Sequence, residues 1–185
     1  MKNDSYRDSE PAASPGELCT WRESNCALAQ LLARHRHALK GAIATAETIG
    51  RSIDELTPLM VALCRRTCRF CPEPCCITNT VWFDFQDLLF FHLTGAPIPD
   101  CQAVSEPKEA CPFLGHHGCS QPPRNRPWMC IQYLCPAQRT ILERQQRTVW
   151  IGLMDKIEFI KRQRRLMETD ITRCIKSTHR IKAKR

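Results

Sequence analysis

The sequence lacks any apolar run of the roughly 20 residues that a membrane-spanning helix needs. It also lacks an N-terminal positive charge followed by an apolar block, which is the mark of a secretory signal. A Gly-rich phosphate loop, a Ser-His-Asp arrangement and a paired-carboxylate signature are missing too, so the sequence indicates no enzyme class. Aromatic residues make up only 7% of the chain, which favours an aliphatic core. We therefore expect a cytoplasmic protein without a membrane span.

Cysteine, by contrast, is abundant, with 13 residues in a chain of 185. The cytoplasm keeps thiols reduced, and an odd number of cysteines also argues against a disulfide framework. Ten of the 13 cysteines lie within residues 64–135. In a reducing compartment such a concentration indicates metal binding.

The cysteines of this segment form two groups whose spacing suits metal ligation. The first group has the pattern Cys-x2-Cys-x3-Cys-Cys, and the second has longer gaps punctuated by proline and glycine. Thiolates are soft, charged donors, and a two-residue gap lets a turn direct two sulfurs at one zinc or iron ion. We predict that eight cysteines are the metal ligands: Cys68, Cys71, Cys75, Cys76, Cys111, Cys119, Cys130 and Cys135.

The number of metal centres stays open at this point. Neighbouring side chains in extended backbone point to opposite sides, so either one of Cys75 and Cys76 packs or the pair serves two centres. Eight thiols can fill two four-sulfur sites or, with some to spare, one iron–sulfur cluster. His116 and His117 also allow a mixed site. For the other cysteines we expect burial without ligation: Cys19, Cys26, Cys64, Cys101 and Cys174.

The N-terminal half of the chain predicts two helices. Apolar residues recur at three- and four-residue steps over residues 24–49, and Gly50 is a plausible end of that helix. Ser52 is suited to cap a second helix, which Pro58 either kinks or delays until Thr57.

Further helices are predicted later in the chain. The prolines within residues 64–76 exclude regular helix there. Asp84 is suited to cap a short helix that ends at Gly95. A long helix is expected to start near Pro136 and to pass Cys174.

These elements predict a mainly α-helical fold, with irregular cysteine-rich loops that bind metal and a long C-terminal helix. Residues 1–17 are expected to be a disordered tail, residues 18–176 a single helical metal-binding domain, and residues 177–185 a basic tail. The apolar stripe of residues 149–171 is expected to pack antiparallel on the stripe of residues 28–49.

The positive charge is concentrated at the C-terminal end. The whole chain carries a net charge of +8, whereas residues 136–185 hold 14 Lys and Arg against 5 Asp and Glu. This segment either binds an anionic partner or forms a solvated helix face.

Short motifs around the cysteines follow one another in a distinctive order. After the first cysteine group come Phe83-Asp84, Cys111-Pro112-Phe113-Leu114, Gly118-Cys119-Ser120, Arg126-Pro127-x2-Cys130 and Tyr133-x-Cys135. This order resembles the bacterial cysteine-cluster proteins called YkgJ-like, over residues 68–135. The resemblance implies a zinc- or iron-chelating domain. A related cysteine pattern in the flagellin lysine N-methylases implies, by analogy, that an iron–sulfur cluster is an option.

Two functions are consistent with these observations. In the first, the protein is a metal-binding module in which zinc or an iron–sulfur cluster organises the fold and a partner surface. In the second, it is an iron–sulfur redox protein, or an accessory to a methyl- or electron-transfer enzyme. Arg126 is a candidate donor to the sulfur-rich centre, because guanidinium offers several fixed donors.

Overall fold

A computed structural model describes residues 15–68, 71–103, 110–115 and 118–182, and most of them are helical. Within these residues, sheet is limited to a two-stranded antiparallel pair of two-residue strands. The predicted mainly helical class, with irregular cysteine-rich loops and a long C-terminal helix, is confirmed. The elements are α1 (Pro15–His35), α2 (Lys40–Thr67), α3 (Cys75–Thr78), α4 (Phe85–Thr94), β1 (Leu114–Gly115), β2 (Gly118–Cys119), α5 (Trp128–Gln132), α6 (Pro136–Gln145) and α7 (Arg147–Lys182).

The first two helices have bounds that differ from the predicted ones. A 3-10 turn over Arg36–Leu39 interrupts the helix expected over residues 24–49, and α2 then continues through Gly50. A Cβ at Gly50 would lie 3.3 Å from Arg124 Nη1 and 3.7 Å from Phe90 Cε2. The prediction that Gly50 ends a helix is therefore wrong. This glycine permits close packing inside α2.

Two further predictions about α2 are wrong. Ser52 is buried in the middle of the helix and does not cap it. Pro58 neither begins nor ends the helix, because it lies on the exposed side, where proline removes one backbone hydrogen bond without disturbing the core. The helix also extends past Cys64 to Thr67, so the prolines that follow do not exclude helix from the whole of residues 64–76.

Helices α2 and α7 form the central antiparallel pair. At one end the Cys174 thiol donates to the Ala38 carbonyl at 3.3 Å, and further along Lys156 pairs with Glu55. The predicted antiparallel packing thus holds for α2, whereas Val149, at the start of the predicted stripe, is 41% exposed. The apolar core between these helices contains Ala42, Ala46, Ile49, Ile53, Leu56, Leu63, Leu153, Ile157, Ile160, Met167 and Ile171.

Helix α4 has the predicted ends. The Asp84 carboxylate accepts the Asp87 backbone N–H at 2.8 Å, and the Asp87 carboxylate accepts the Asp84 N–H at 3.1 Å. Gly95 follows the helix with a φ of 70°, in the left-handed region that suits glycine. Phe91 is buried within α4, so the capped helix is anchored in the core.

The C-terminal helix is divided in two. Helix α6 begins at Pro136 as predicted, but the backbone departs from helical geometry at Gln146, where φ is −143°, and α7 follows. Of the predicted N-terminal tail, residues 15–17 belong to α1, and residues 1–14 lie outside the described residues. Of the predicted basic tail, residues 177–182 extend α7, and residues 183–185 lie outside that part of the chain.

Candidate metal centre

Five of the predicted ligands lie near one another, and we call them the central thiols: Cys75, Cys76, Cys111, Cys119 and Cys130. The first two occupy the first turn of α3, which Pro74 precedes. The Cys111 backbone N–H donates to the Cys76 carbonyl at 2.9 Å and so joins two distant segments. Cys119 lies in β2, and Cys130 lies in α5.

Helical backbone at the vicinal pair changes the argument drawn from the sequence. Successive residues of a helix are rotated by about 100°, so Cys75 and Cys76 do not point to opposite sides as they would in a strand. The two thiols are hydrogen-bonded to each other. The expectation of extended backbone at this pair is therefore wrong, and both thiols face the same region.

The central thiols influence one another electrostatically. Burial, followed by the charges of Cys111 and Cys119, raises the pKa of Cys130 to about 12. The hydrogen bond with Cys76 and burial raise the pKa of Cys75, while that hydrogen bond lowers the pKa of Cys76. Thiolates crowded in this way repel one another, so this region favours neutral thiols until a cation offsets the charge.

A second group of thiols lies where α2 ends and α6 begins. Cys64 and Cys68 are hydrogen-bonded to each other in the last turn of α2. The Gln138 side-chain amide donates to Cys64 Sγ at 3.7 Å and to Thr67 Oγ1 at 3.1 Å. Its oxygen accepts the backbone N–H of Cys135 at 3.2 Å. We call Cys64, Cys68 and Cys135 the helix-end thiols.

Cys64 is a member of this group that sequence reasoning missed. Burial and the neighbouring Cys68 raise the pKa of Cys64 to about 11. The four-residue step from Cys64 to Cys68 places both on one face of a helix, and this signal was available in the sequence. It was missed because helix was not expected at Cys64.

The structure does not place the thiols around a common point. Within residues 15–68, 71–103, 110–115 and 118–182, no group of three or more His, Cys, Asp or Glu side chains is arranged to hold a metal ion. Cys71 is exposed, and its backbone N–H donates to the Cys68 carbonyl at 3.2 Å. The two histidines considered as ligands, His116 and His117, lie outside the described residues.

The cysteines expected to be buried without ligation differ in their surroundings. Cys26 is exposed on α1, so its predicted burial is wrong. Cys101 and Cys174 are half-buried. The side chain of Cys19 lies outside the described residues.

Behind the central thiols is a buried ion network. The Arg164 guanidinium donates to Asp87 at 2.8 Å and to Asp84 at 2.6 and 2.8 Å. The Asp87 carboxylate also accepts the Trp128 backbone N–H at 3.2 Å, and Arg164 lies 5.5 Å from the Trp128 ring. These contacts join α7, α4 and the first residue of α5, two residues before Cys130.

Neither the helices nor known proteins assign a function. No helix in the described part of the chain is long and apolar enough to cross a bilayer. No protein family, curated protein or solved structure matches the chain. The resemblance to the YkgJ-like proteins stays a prediction.

Proposed function

We propose that the protein binds a thiophilic metal, as zinc or an iron–sulfur cluster, through the central thiols, and that the metal fixes the irregular segments on the helical frame. The observation that carries this proposal is the meeting of five thiols from separate stretches of the chain. Soft thiolates of this kind are the ligands that zinc and iron–sulfur clusters use. The location that suits the proposal is the cytoplasm, where thiols stay reduced.

Metal binding accounts for the charge problem at this site. Thiols must lose their protons to become ligands, and the bound cation then offsets the repulsion between thiolates. Coordination replaces the Cys75–Cys76 hydrogen bond and draws the sulfurs toward one point. The same coordination opposes the conformational entropy of segments with little regular structure.

The decisive experiment measures metal in anaerobically purified protein. Cys130→Ser and Cys111→Ser each remove one central thiol, so we expect each to lower the metal bound per chain. Cys26→Ser is the matched control, since Cys26 is exposed on α1 and outside both thiol groups. Metal content equal to wild type in both central variants would contradict the proposal.

The colour of the same preparation separates the two cofactors. An iron–sulfur protein is brown and a zinc protein is colourless. A brown protein would favour the redox or accessory role, and a colourless one the structural role.

An anionic partner at the basic segment belongs to this proposal as well. Arg162, Arg165 and Lys176 are exposed along α7. Binding of polyanions there is expected to weaken steeply with salt. Binding to heparin that does not change between low and high salt would contradict it.

A further inference from the structure

We infer that the helix-end thiols Cys64, Cys68 and Cys135 hold a metal ion of their own, with Cys71 as the fourth ligand, separate from the metal at the central thiols. This inference rests on the proposed function, because both centres need the same reduced thiols. It adds Cys64 to the ligands and divides the cysteines between two centres.

Helix geometry brings the first two of these ligands together. Cys64 and Cys68 are one helical turn apart at the end of α2, and their thiols already touch through a hydrogen bond. The backbone turns sharply after Cys68, where the Cys71 N–H donates to the Cys68 carbonyl. A two-residue gap with such a turn lets the sulfurs of Cys68 and Cys71 reach one ion.

Gln138 joins the third ligand to this pair. Its side chain is buried, at 3% exposure, and both ends of its amide are engaged. The nitrogen faces Cys64 and Thr67, while the oxygen holds the Cys135 backbone at the start of α6. An amide N–H directed at a ligand sulfur stabilises the thiolate, as outer hydrogen bonds do at metal sites.

The local charges favour a dication at this position. The C-terminal end of α2 carries a negative partial charge, which opposes a thiolate at Cys64. The Arg126 guanidinium acts on Cys64 in the opposite direction. Cys135 has the favourable end of a helix, the N-terminus of α6. Four thiolates around zinc leave a net negative charge, which Arg126 reduces.

The test counts zinc in protein reconstituted anaerobically with zinc alone. Wild type is expected to bind about two equivalents, one for each four-ligand centre. Cys64→Ser and Cys68→Ser are each expected to lose about one equivalent, and so is Cys130→Ser at the other centre. Cys26→Ser should bind as wild type does. Cys68 is exposed, so its replacement removes a sulfur without opening the core.

Double variants decide whether the centres are separate. Cys64→Ser with Cys68→Ser should lose no more zinc than either single change, whereas Cys64→Ser with Cys130→Ser should lose both equivalents. Full zinc binding by Cys64→Ser would overturn the inference and leave the proposed function standing. Loss of all zinc from Cys130→Ser alone would show one shared centre and would likewise overturn it. A wild-type protein that binds no zinc and carries no iron would overturn both.

Discussion

Arg164 shows how a single side chain connects the helical frame to the cysteine-rich loops. It is 2% exposed, and its guanidinium contacts both Asp84 and Asp87. Because Asp87 also accepts the Trp128 N–H, this arginine supports the start of α5 through the carboxylate. Arg164 therefore positions the segment that carries Cys130.

Replacing Arg164 with methionine should lower the free energy of unfolding by about 3–5 kcal/mol, because it leaves the buried Asp87 carboxylate without its cation. Urea denaturation measures the loss. Arg162→Met is the matched control, since Arg162 is exposed on the same helix and should change stability little. Equal stabilities of the two variants would show that the buried pair contributes nothing.

Asp87 should make stability depend on pH. Burial raises the pKa of Asp87 to about 6, although the charge of Arg164 opposes this shift. Because the folded value lies above the unfolded one of about 3.9, the folded state binds more protons between these values, and this contribution to stability is lost as pH rises through 6. Asp87→Asn should flatten unfolding curves compared across that range. An unchanged pH dependence in Asp87→Asn would assign it to other groups.

Spacing in the sequence identified the cysteines but not their grouping. Cys68, Cys71 and the vicinal pair stand out because metal ligands recur at short intervals. The link between Cys64 and Gln138 spans 74 residues, and no local pattern reveals it. The eight cysteines were therefore predictable as candidates, while their division into two groups depends on the tertiary fold.

Element by element, the predictions that held depend on local chemistry. The bounds of α4 follow from its capping box and from Gly95, so they could be predicted. The end of α2 could not, because Gly50 serves a contact with Phe90 and Arg124 from distant parts of the chain. A glycine that ends a helix and a glycine that permits close packing look the same in a sequence.

Pro58→Ala should stabilise the protein. Proline inside a helix costs up to about 3 kcal/mol relative to alanine, and Pro58 lies on the exposed side of α2 where no packing contact compensates. Thermal unfolding should show a higher melting temperature than wild type. Thr57→Ala tests the adjacent position, where the Thr57 hydroxyl donates to the Ile53 carbonyl at 2.8 Å. A lower melting temperature for Pro58→Ala would mean that the bend at this proline is required.

At the scale of the whole molecule, metal removal should act on stability as the loss of a bound ligand does. Chelation of the reduced protein is expected to lower the melting temperature, since an ion that binds only the folded state stabilises it. Calorimetry with parallel metal analysis checks this. Cys111→Ser, already depleted of metal, should respond less. An unchanged melting curve after verified metal loss would separate folding from metal binding.

Truncation tests the helical frame. A chain that stops at Trp150 lacks the α7 residues that cover α2, and should aggregate, because the apolar face of α2 is then exposed. A chain that stops at Ser177 retains Met167 and Ile171 and should stay folded. Size-exclusion chromatography compares the two. A monomeric, metal-loaded protein ending at Trp150 would show that α7 is not needed for the fold.

The pairing of α2 with α7 also has a consequence for synthesis. The Lys156–Glu55 contact joins residues 101 positions apart, with every central thiol between them. Contacts of such long range form late in folding, and α7 leaves the ribosome after both cysteine groups. The nascent chain therefore presents its thiols before the helical frame can close over them. Oxidation during translation is the hazard that this topology carries, and early metal capture would limit it.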